Sequence, residues 1–231
     1  MNLNPIEYLI SLLSPEQCRI CYIDANMVCD DCYNKLFLDK DSRCYICNKM
    51  TTQNQICSSC RSNSRLRRVW WLGLYGDPIK AYISDMKFGR KRAYARRFGV
   101  LLADRIPYLP DDTIVFPAPT ASSRIRQRGF DQAVLIAQSL ASARQLSISK
   151  DGLIRQSQVD QIGKHRSERI KQMKGCFELR SPESVKGKNI LLVDDVITTG
   201  ATLESAAATL RQNGAKHVDA AIVARHIFGK Q

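Results

Sequence analysis

No stretch of the 231-residue chain approaches the roughly 18–20 consecutive apolar residues that a membrane-spanning helix needs. Residues 1–15 include Pro5 and Glu7 and lack a basic segment followed by a long apolar core, so no secretory signal is expected. The protein is therefore expected to be soluble and cytoplasmic, with no membrane insertion. The Gly-x-x-x-x-Gly-Lys-Ser/Thr pattern of a P-loop is also missing. Acidic residues are the scarce charge, with 22 Asp and Glu against 35 Lys and Arg, a formal net of +13. The surplus is uneven: residues 1–62 carry a net of −1 and residues 63–231 a net of +14. Such a field attracts polyanions, either nucleic acid or a compact phosphate-rich metabolite, or it serves solubility alone.

Cysteine, by contrast, is concentrated. Eight of nine fall in four Cys-x-x-Cys pairs, Cys18/Cys21, Cys29/Cys32, Cys44/Cys47 and Cys57/Cys60. Each pair presents two thiolates to one tetrahedral ion, and two pairs complete a Cys₄ zinc site. Without a secretory signal, zinc is favoured over a disulfide framework. Sequential pairing puts Cys18, Cys21, Cys29 and Cys32 on one ion and Cys44, Cys47, Cys57 and Cys60 on the other; a cross-braced arrangement would interleave them. Loops of seven and nine residues within the sequential sets suit two short ribbons in tandem. All-thiolate sites leave no open coordination position, so two structural Zn²⁺ ions are expected, standing in for a core this segment cannot build. The ninth, Cys176, reads as a small core residue.

The richest segment is Ile190-Leu-Leu-Val-Asp-Asp-Val-Ile-Thr-Thr-Gly-Ala-Thr202. Residues 190–193 read as a buried strand, and Asp194 and Asp195 sit where it leaves the sheet. Thr198, Thr199, Gly200, Ala201 and Thr202 then turn into a helical stretch over 203–213, closed by Gly214. A small, hydroxyl-rich turn at a helix N-terminus offers free N–H groups and a favourable dipole to one phosphate. Carboxylates just upstream suit the vicinal hydroxyls of a sugar. Together they describe a ribose-5-phosphate site.

Elsewhere the pattern alternates strands and helices. Residues 61–68 are polar and basic, a plausible hinge, which gives a zinc ribbon over 1–62, a linker over 63–68 and an α/β domain over 69–231. Residues 69–75 read as a first strand whose adjacent Trp70 and Trp71 point to opposite faces. Helices are expected over 78–88, 93–106 and 133–143, a second strand over 114–119, and a buried Ala/Val-rich last strand over 218–225. The stretch 87–97 interleaves six basic residues with Phe88 and Tyr94. That mixture suits single-stranded nucleic acid, where bases stack and phosphates pair; otherwise it is an exposed helix with its aromatics turned inward. Pro117, Ala118, Pro119 and Thr120 close the second strand with a rigid, backbone-exposing turn, and Arg124, Arg126 and Arg128 follow. Such a loop can hold a pyrophosphate, with the arginines neutralising it. Residues 155–174 read as a basic flap able to close over a polyanion; His165 within it carries no argument alone.

The 190–202 segment closely resembles the phosphoribosyl-pyrophosphate (PRPP) loop of type I phosphoribosyltransferases. The whole order resembles the competence-protein-F (ComF-like) family: Cys₄ ribbons, Met86-Lys-Phe-Gly89, Pro117-Ala-Pro119, Arg126-Gln-Arg-Gly-Phe-Asp-Gln132, Gln161 with Arg166 and Arg169, and the PRPP loop. This chain has Asp131 where members commonly have Asn. The resemblance implies a Rossmann-like parallel sheet of the type I phosphoribosyltransferase kind, preceded by a small double zinc ribbon. It implies PRPP with Mg²⁺ as ligand, held by Asp194 and Asp195 at the ribose, the same pair being the candidate catalytic residues. Thr198–Thr202 would hold the 5′-phosphate, and Lys87, Arg166 and Arg169 join 117–128 as candidate pyrophosphate or substrate contacts. The family is linked to single-stranded DNA during natural transformation, which implies DNA and a DNA-uptake helicase as partners. Phosphoribosyl transfer to an amine or base acceptor is the other activity it implies.

Overall fold

A computed structural model describes residues 17–18, 20–23, 28–29, 31–33, 41–89, 91–155 and 176–227. The chain divides into two compact units, Met1–Lys40 and Asp41–Gln231, so the expected linker at 63–68 falls inside the second. In the first unit, Cys18 and Cys32 are buried, as is Val28, while Tyr22 and Ile23 are exposed. The Cys18 N–H donates to Ile23 O and the Tyr22 N–H to Cys18 O, a tight turn that brings the first thiol pair together.

The second unit is built on a five-stranded parallel sheet in the order β1-β7-β6-β2-β3. The strands are β1 (Val69–Leu74), β2 (Thr113–Pro117), β3 (Ser147–Ile148), β6 (Asn189–Ile197) and β7 (His217–Arg225). Two short strands, β4 (Leu153–Arg155) and β5 (Phe177–Leu179), form a separate antiparallel pair. Among the described residues the helices of seven residues or more are α1 (Ile79–Lys87), α2 (Arg92–Arg105), α3 (Ser122–Arg128), α4 (Gln132–Arg144) and α5 (Ala201–Gln212). Residues 156–175, which contain most of the expected flap with Arg166 and Arg169, lie outside the described residues.

The expected helices and long strands form because their apolar spacing matches the sheet's two faces. In α1, Ile79, Tyr82, Ile83 and Met86 are buried at i, i+3, i+4 and i+7. Helices α2 and α4 pack so closely that a Cβ on Gly99 would stand 2.4 Å from Ile136 O, which explains glycine there. Strand β7 presents Ala220, Ala221 and Ala224, small enough for helices to approach the middle of the sheet. Period-2 alternation then separates two faces. Ile190 and Leu192 of β6 and Val218, Ala220 and Ile222 of β7 share one core cluster with Leu203 and Leu210 of α5 and with Cys176.

The same cluster contains Cys44, Tyr45, Ile56, Leu66 and Trp71. The second cysteine knuckle is thus part of the core of the sheet unit. The segment after it is pinned as well: the Ile56 N–H donates to Arg67 O, the Arg67 N–H to Val218 O, and Gln55 bridges Arg68. Arg67 pairs with Asp219 through Nε at 3.0 Å and Nη2 at 2.5 Å. The adjacent tryptophans take opposite faces as expected: Trp71 joins this cluster, where the Arg225 guanidinium lies 4.8 Å from its ring, and Trp70 is buried outside it.

Candidate functional site

The two cysteine sets pair sequentially. The sulfur atoms of Cys18, Cys21, Cys29 and Cys32 lie within 4.8 Å of one another, and so do those of Cys44, Cys47, Cys57 and Cys60. Separations of 3.6 Å for Cys21–Cys29 and 3.5 Å for Cys47–Cys57 are close to the ~3.8 Å edge of a tetrahedron with ~2.3 Å Zn–S bonds. Both clusters can therefore hold zinc, and with four thiolates each neither offers a position for a reactant.

Asp194, Val196, Ile197 and residues 198–203 line one hollow where β6 gives way to α5. Gly200 caps the helix with φ of 78°, a left-handed conformation that glycine adopts without strain. Thr198 is exposed; Thr199, Ala201 and Thr202 are half-buried around the turn. The hollow lies at the N-terminal end of α5, the end of a helix that suits an anion, and the Ala201 N–H donates there to Thr199 Oγ1 at 3.3 Å.

Alternation at the strand end divides the aspartates. Asp194 shares the parity of Ile190 and Leu192 and faces the hollow. Asp195 shares that of Leu191 and Val193 and turns to the other face, where it is buried and absent from the hollow's lining. There its Oδ2 takes Lys87 Nζ at 2.9 Å and a hydrogen bond from Gln132 Nε2 at 2.9 Å. No cation sits on Asp194 among the described residues. Burial, and then the neighbouring Asp195, push its carboxyl up to about 8. The Asp195 N–H donates to Asp194 Oδ1 at 2.8 Å.

The Pro-Ala-Pro turn lies alongside. Pro117 stands opposite Val193 in the ladder, and the Ala118 N–H donates to Val193 O at 2.8 Å. Thr120 Oγ1 donates to Asp131 Oδ1 at 3.1 Å. Asp131 caps α4, accepting from Ala133 N at 2.9 Å and Val134 N at 3.4 Å, with burial raising its carboxyl above the ordinary range. Of the three arginines, Arg124 and Arg126 are exposed on α3 and Arg128 is buried. The Arg128 guanidinium lies 6.0 Å from the Phe88 ring, and its Nε and Nη1 have no hydrogen-bond partner among the described residues. Of the two aromatics in the basic stretch, Tyr94 is buried and Phe88 is 67 % exposed.

Sequence reasoning did not single out Gln132, although it lies in the 126–132 motif. It also passed over Tyr45 and Glu204, which pack beside the turn. Glu204 Oε1 accepts the Tyr45 hydroxyl and that of Ser64 (2.5 Å), and Oε2 accepts the Arg65 N–H at 2.7 Å. Nothing in the sequence links residues 139 to 159 positions apart.

Among known proteins, the phosphoribosyl transferase domain family matches residues 128–230. Competence protein ComFC of Bacillus subtilis is 29% identical over 212 residues, covering 88% of this chain and 82% of its own. DNA utilization protein YhgH of Escherichia coli O157:H7 is 27% identical over 222 residues, covering 90% and 96%. Competence protein F of Haemophilus influenzae is 27% identical over 218 residues, covering 84% and 94%. A parallel sheet of the phosphoribosyltransferase kind, two Cys₄ clusters ahead of the domain match and similarity over most of the chain together fit the competence-protein-F-like family.

Proposed function

We propose that this protein binds PRPP with Mg²⁺ at the end of β6 and acts in competence-type handling of single-stranded DNA. One observation carries the reading: Asp194 and the turn 198–202 line a single hollow at a helix N-terminus. The N–H groups and hydroxyls of 198–202 hold the 5′-phosphate, and Asp194 accepts from the ribose hydroxyls. Asp195, tied to Lys87 and Gln132, fixes the strand end so that Asp194 keeps its aim. The turn Pro117–Thr120 lies one strand over and receives the pyrophosphate, and Arg128 supplies donor atoms that lack partners among the described residues. Arg124 and Arg126, exposed on α3, extend the positive field around that end, while the other two candidates, Arg166 and Arg169, lie outside the described residues. Two neighbouring aspartates, of which Asp194 has no ion pair among the described residues, would suit Mg²⁺, which would neutralise developing charge on the leaving pyrophosphate.

The DNA role rests on the names and similarity of the relatives, on the net charge of +14 over 63–231, and on Phe88. An exposed aromatic ring followed by exposed Lys91 and Arg92 offers a stacking face beside phosphate partners. Transfer of the ribosyl group to an amine or base is the second reading. In it the C1–O bond breaks, pyrophosphate leaves with the electron pair, and the acceptor nitrogen bonds C1 and loses its proton. Two nitrogens of Arg128 without a hydrogen-bond partner among the described residues support this reading, in which they would stabilise the leaving group.

Thermal shift tests the binding site. Mg²⁺–PRPP at about 100 times its Kd should stabilise the protein by about 2.7 kcal/mol. A Thr198→Val/Thr202→Val variant should lose most of that shift while keeping its ligand-free melting temperature. An equal shift in the variant would rule the turn out as the phosphate site.

A further inference from the structure

Gly200 is the middle residue of the turn 198–202 and caps α5, and the ring of Tyr45 lies against it. A Cβ on Gly200 would stand 2.8 Å from Tyr45 Cε2 and 3.0 Å from its hydroxyl oxygen. Tyr45 follows Cys44 directly and lies inside the Cys44-x-x-Cys47 knuckle of the second Cys₄ set, two residues before Cys47. It is 7% exposed and belongs to the core cluster with Cys44, Trp71 and Leu203. Its hydroxyl donates to Glu204, whose N–H is bonded to Gly200 O at 2.8 Å. Ser64 and Arg65, just past the knuckle's last cysteine, supply the other two donors to the same carboxylate.

Glu204 carries the wrong charge for the first turn of a helix that receives a phosphate. An acid there competes with the ligand for the helix dipole and repels it. Tying both carboxylate oxygens to three donors from the knuckle segment holds Glu204 off the lining of the hollow, where it does not appear. The Tyr45 ring meanwhile fills the space beside the one residue of the turn in left-handed conformation. The turn is therefore held from two directions by residues whose own positions depend on the thiolates around them.

We propose that Tyr45 and Glu204 form a strap through which metal at Cys44, Cys47, Cys57 and Cys60 sets the conformation of the turn 198–202. Tyr45 is a positioning residue: it touches no ligand and acts through Gly200 and Glu204. With metal bound, the thiolates on both sides of Tyr45 fix its backbone, and the ring and hydroxyl fix the turn. With metal lost, the ring leaves Gly200 and the Glu204 carboxylate loses its donors, so the turn loosens and the charge swings free. Anion affinity at the turn becomes a readout of metal at a site that does no chemistry itself. The consequence for PRPP rests on the phosphate reading given above; the strap itself does not.

The test uses the full-length, zinc-loaded chain with Tyr45→Phe, which keeps the ring, and Glu204→Gln, which keeps the shape. Three quantities are read: zinc content, amide hydrogen exchange, and Mg²⁺–PRPP affinity by calorimetry. Both variants should keep two zinc ions. Their amides over 200–204 should exchange about tenfold faster, with amides in the middle of β6 unchanged, so that the loosening is local. Mg²⁺–PRPP affinity should weaken by about tenfold, within the usual range of coupling between sites. Unchanged exchange over 200–204 in both variants overturns the strap, whatever the affinities do. Faster local exchange in a protein whose parent binds no Mg²⁺–PRPP upholds the strap and overturns the phosphate reading instead.

Discussion

Lys87 Nζ lies 2.9 Å from Asp195 Oδ2, so the last residue of α1 is ion-paired to the second aspartate of β6 on the face away from the hollow. Both partners are largely buried, with side-chain exposures of 18% and 7%. Removing one leaves a charge without its counter-ion. Lys87→Met should destabilise the fold by about 3–5 kcal/mol, the usual cost of breaking a buried pair. Adding Asp195→Asn, which lets Gln132 remain a partner, should recover much of the loss. Urea denaturation of both variants checks this, and equal losses in the single and double variants would contradict it.

Asp194 is expected to cost stability where it serves binding. Its carboxyl is raised from 3.8 to about 8 by burial and by Asp195. Between those values the folded chain holds a proton that the unfolded chain has released, so this group's contribution to stability falls as pH rises through the window. Below and above the window its contribution is constant. Asp194→Asn keeps an oxygen for the Asp195 N–H and cannot ionise. Its advantage in melting temperature over the parent should be near zero at about pH 4, grow up to about pH 8 and then level off.

Gly99 reports on helix packing. A Cβ there meets Ile136 O at 2.4 Å, backbone that cannot move aside as a side-chain tip would. Gly99→Ala should cost about 1–3 kcal/mol by overpacking, despite alanine's better helix propensity. A denaturation midpoint at or above the parent's would mean that α2 and α4 adjust freely.

How far the sequence could be read depends on the length of the signal. The strand before Asp194, the turn 198–202 and the four long helices were legible because their periodicity runs over many residues or ends in a small-residue turn. Helix α3 and strands β3, β4 and β5 are seven, two, three and three residues long, too short to show a period. The polar run 61–68 reads as a hinge because its one apolar residue, Leu66, says nothing locally. Leu66 is nevertheless buried, and the segment runs beside β7, since its partners lie 150 residues away. The opposite aims of Asp194 and Asp195 were implicit in strand alternation. The contact between Tyr45 and Gly200 was not, because only the tertiary fold brings the knuckle to the turn.

Phe88 separates the two uses of the basic surface. Binding to a single-stranded oligonucleotide should weaken as salt rises, through counterion release. Phe88→Ala should cost a further ~1–3 kcal/mol of stacking without altering the salt slope. Fluorescence anisotropy across a salt series measures both. A shallow slope with no effect of Phe88→Ala would remove this surface as the DNA site.

The central claim is a working phosphoribosyl site at the end of β6. Calorimetric titration of Mg²⁺–PRPP into the zinc-loaded protein, beside an Asp194→Ala/Asp195→Ala variant that still folds, tests it most directly. The account predicts saturable one-to-one binding in the parent and its loss in the variant. Absence of binding in both, or equal binding in both, would contradict it.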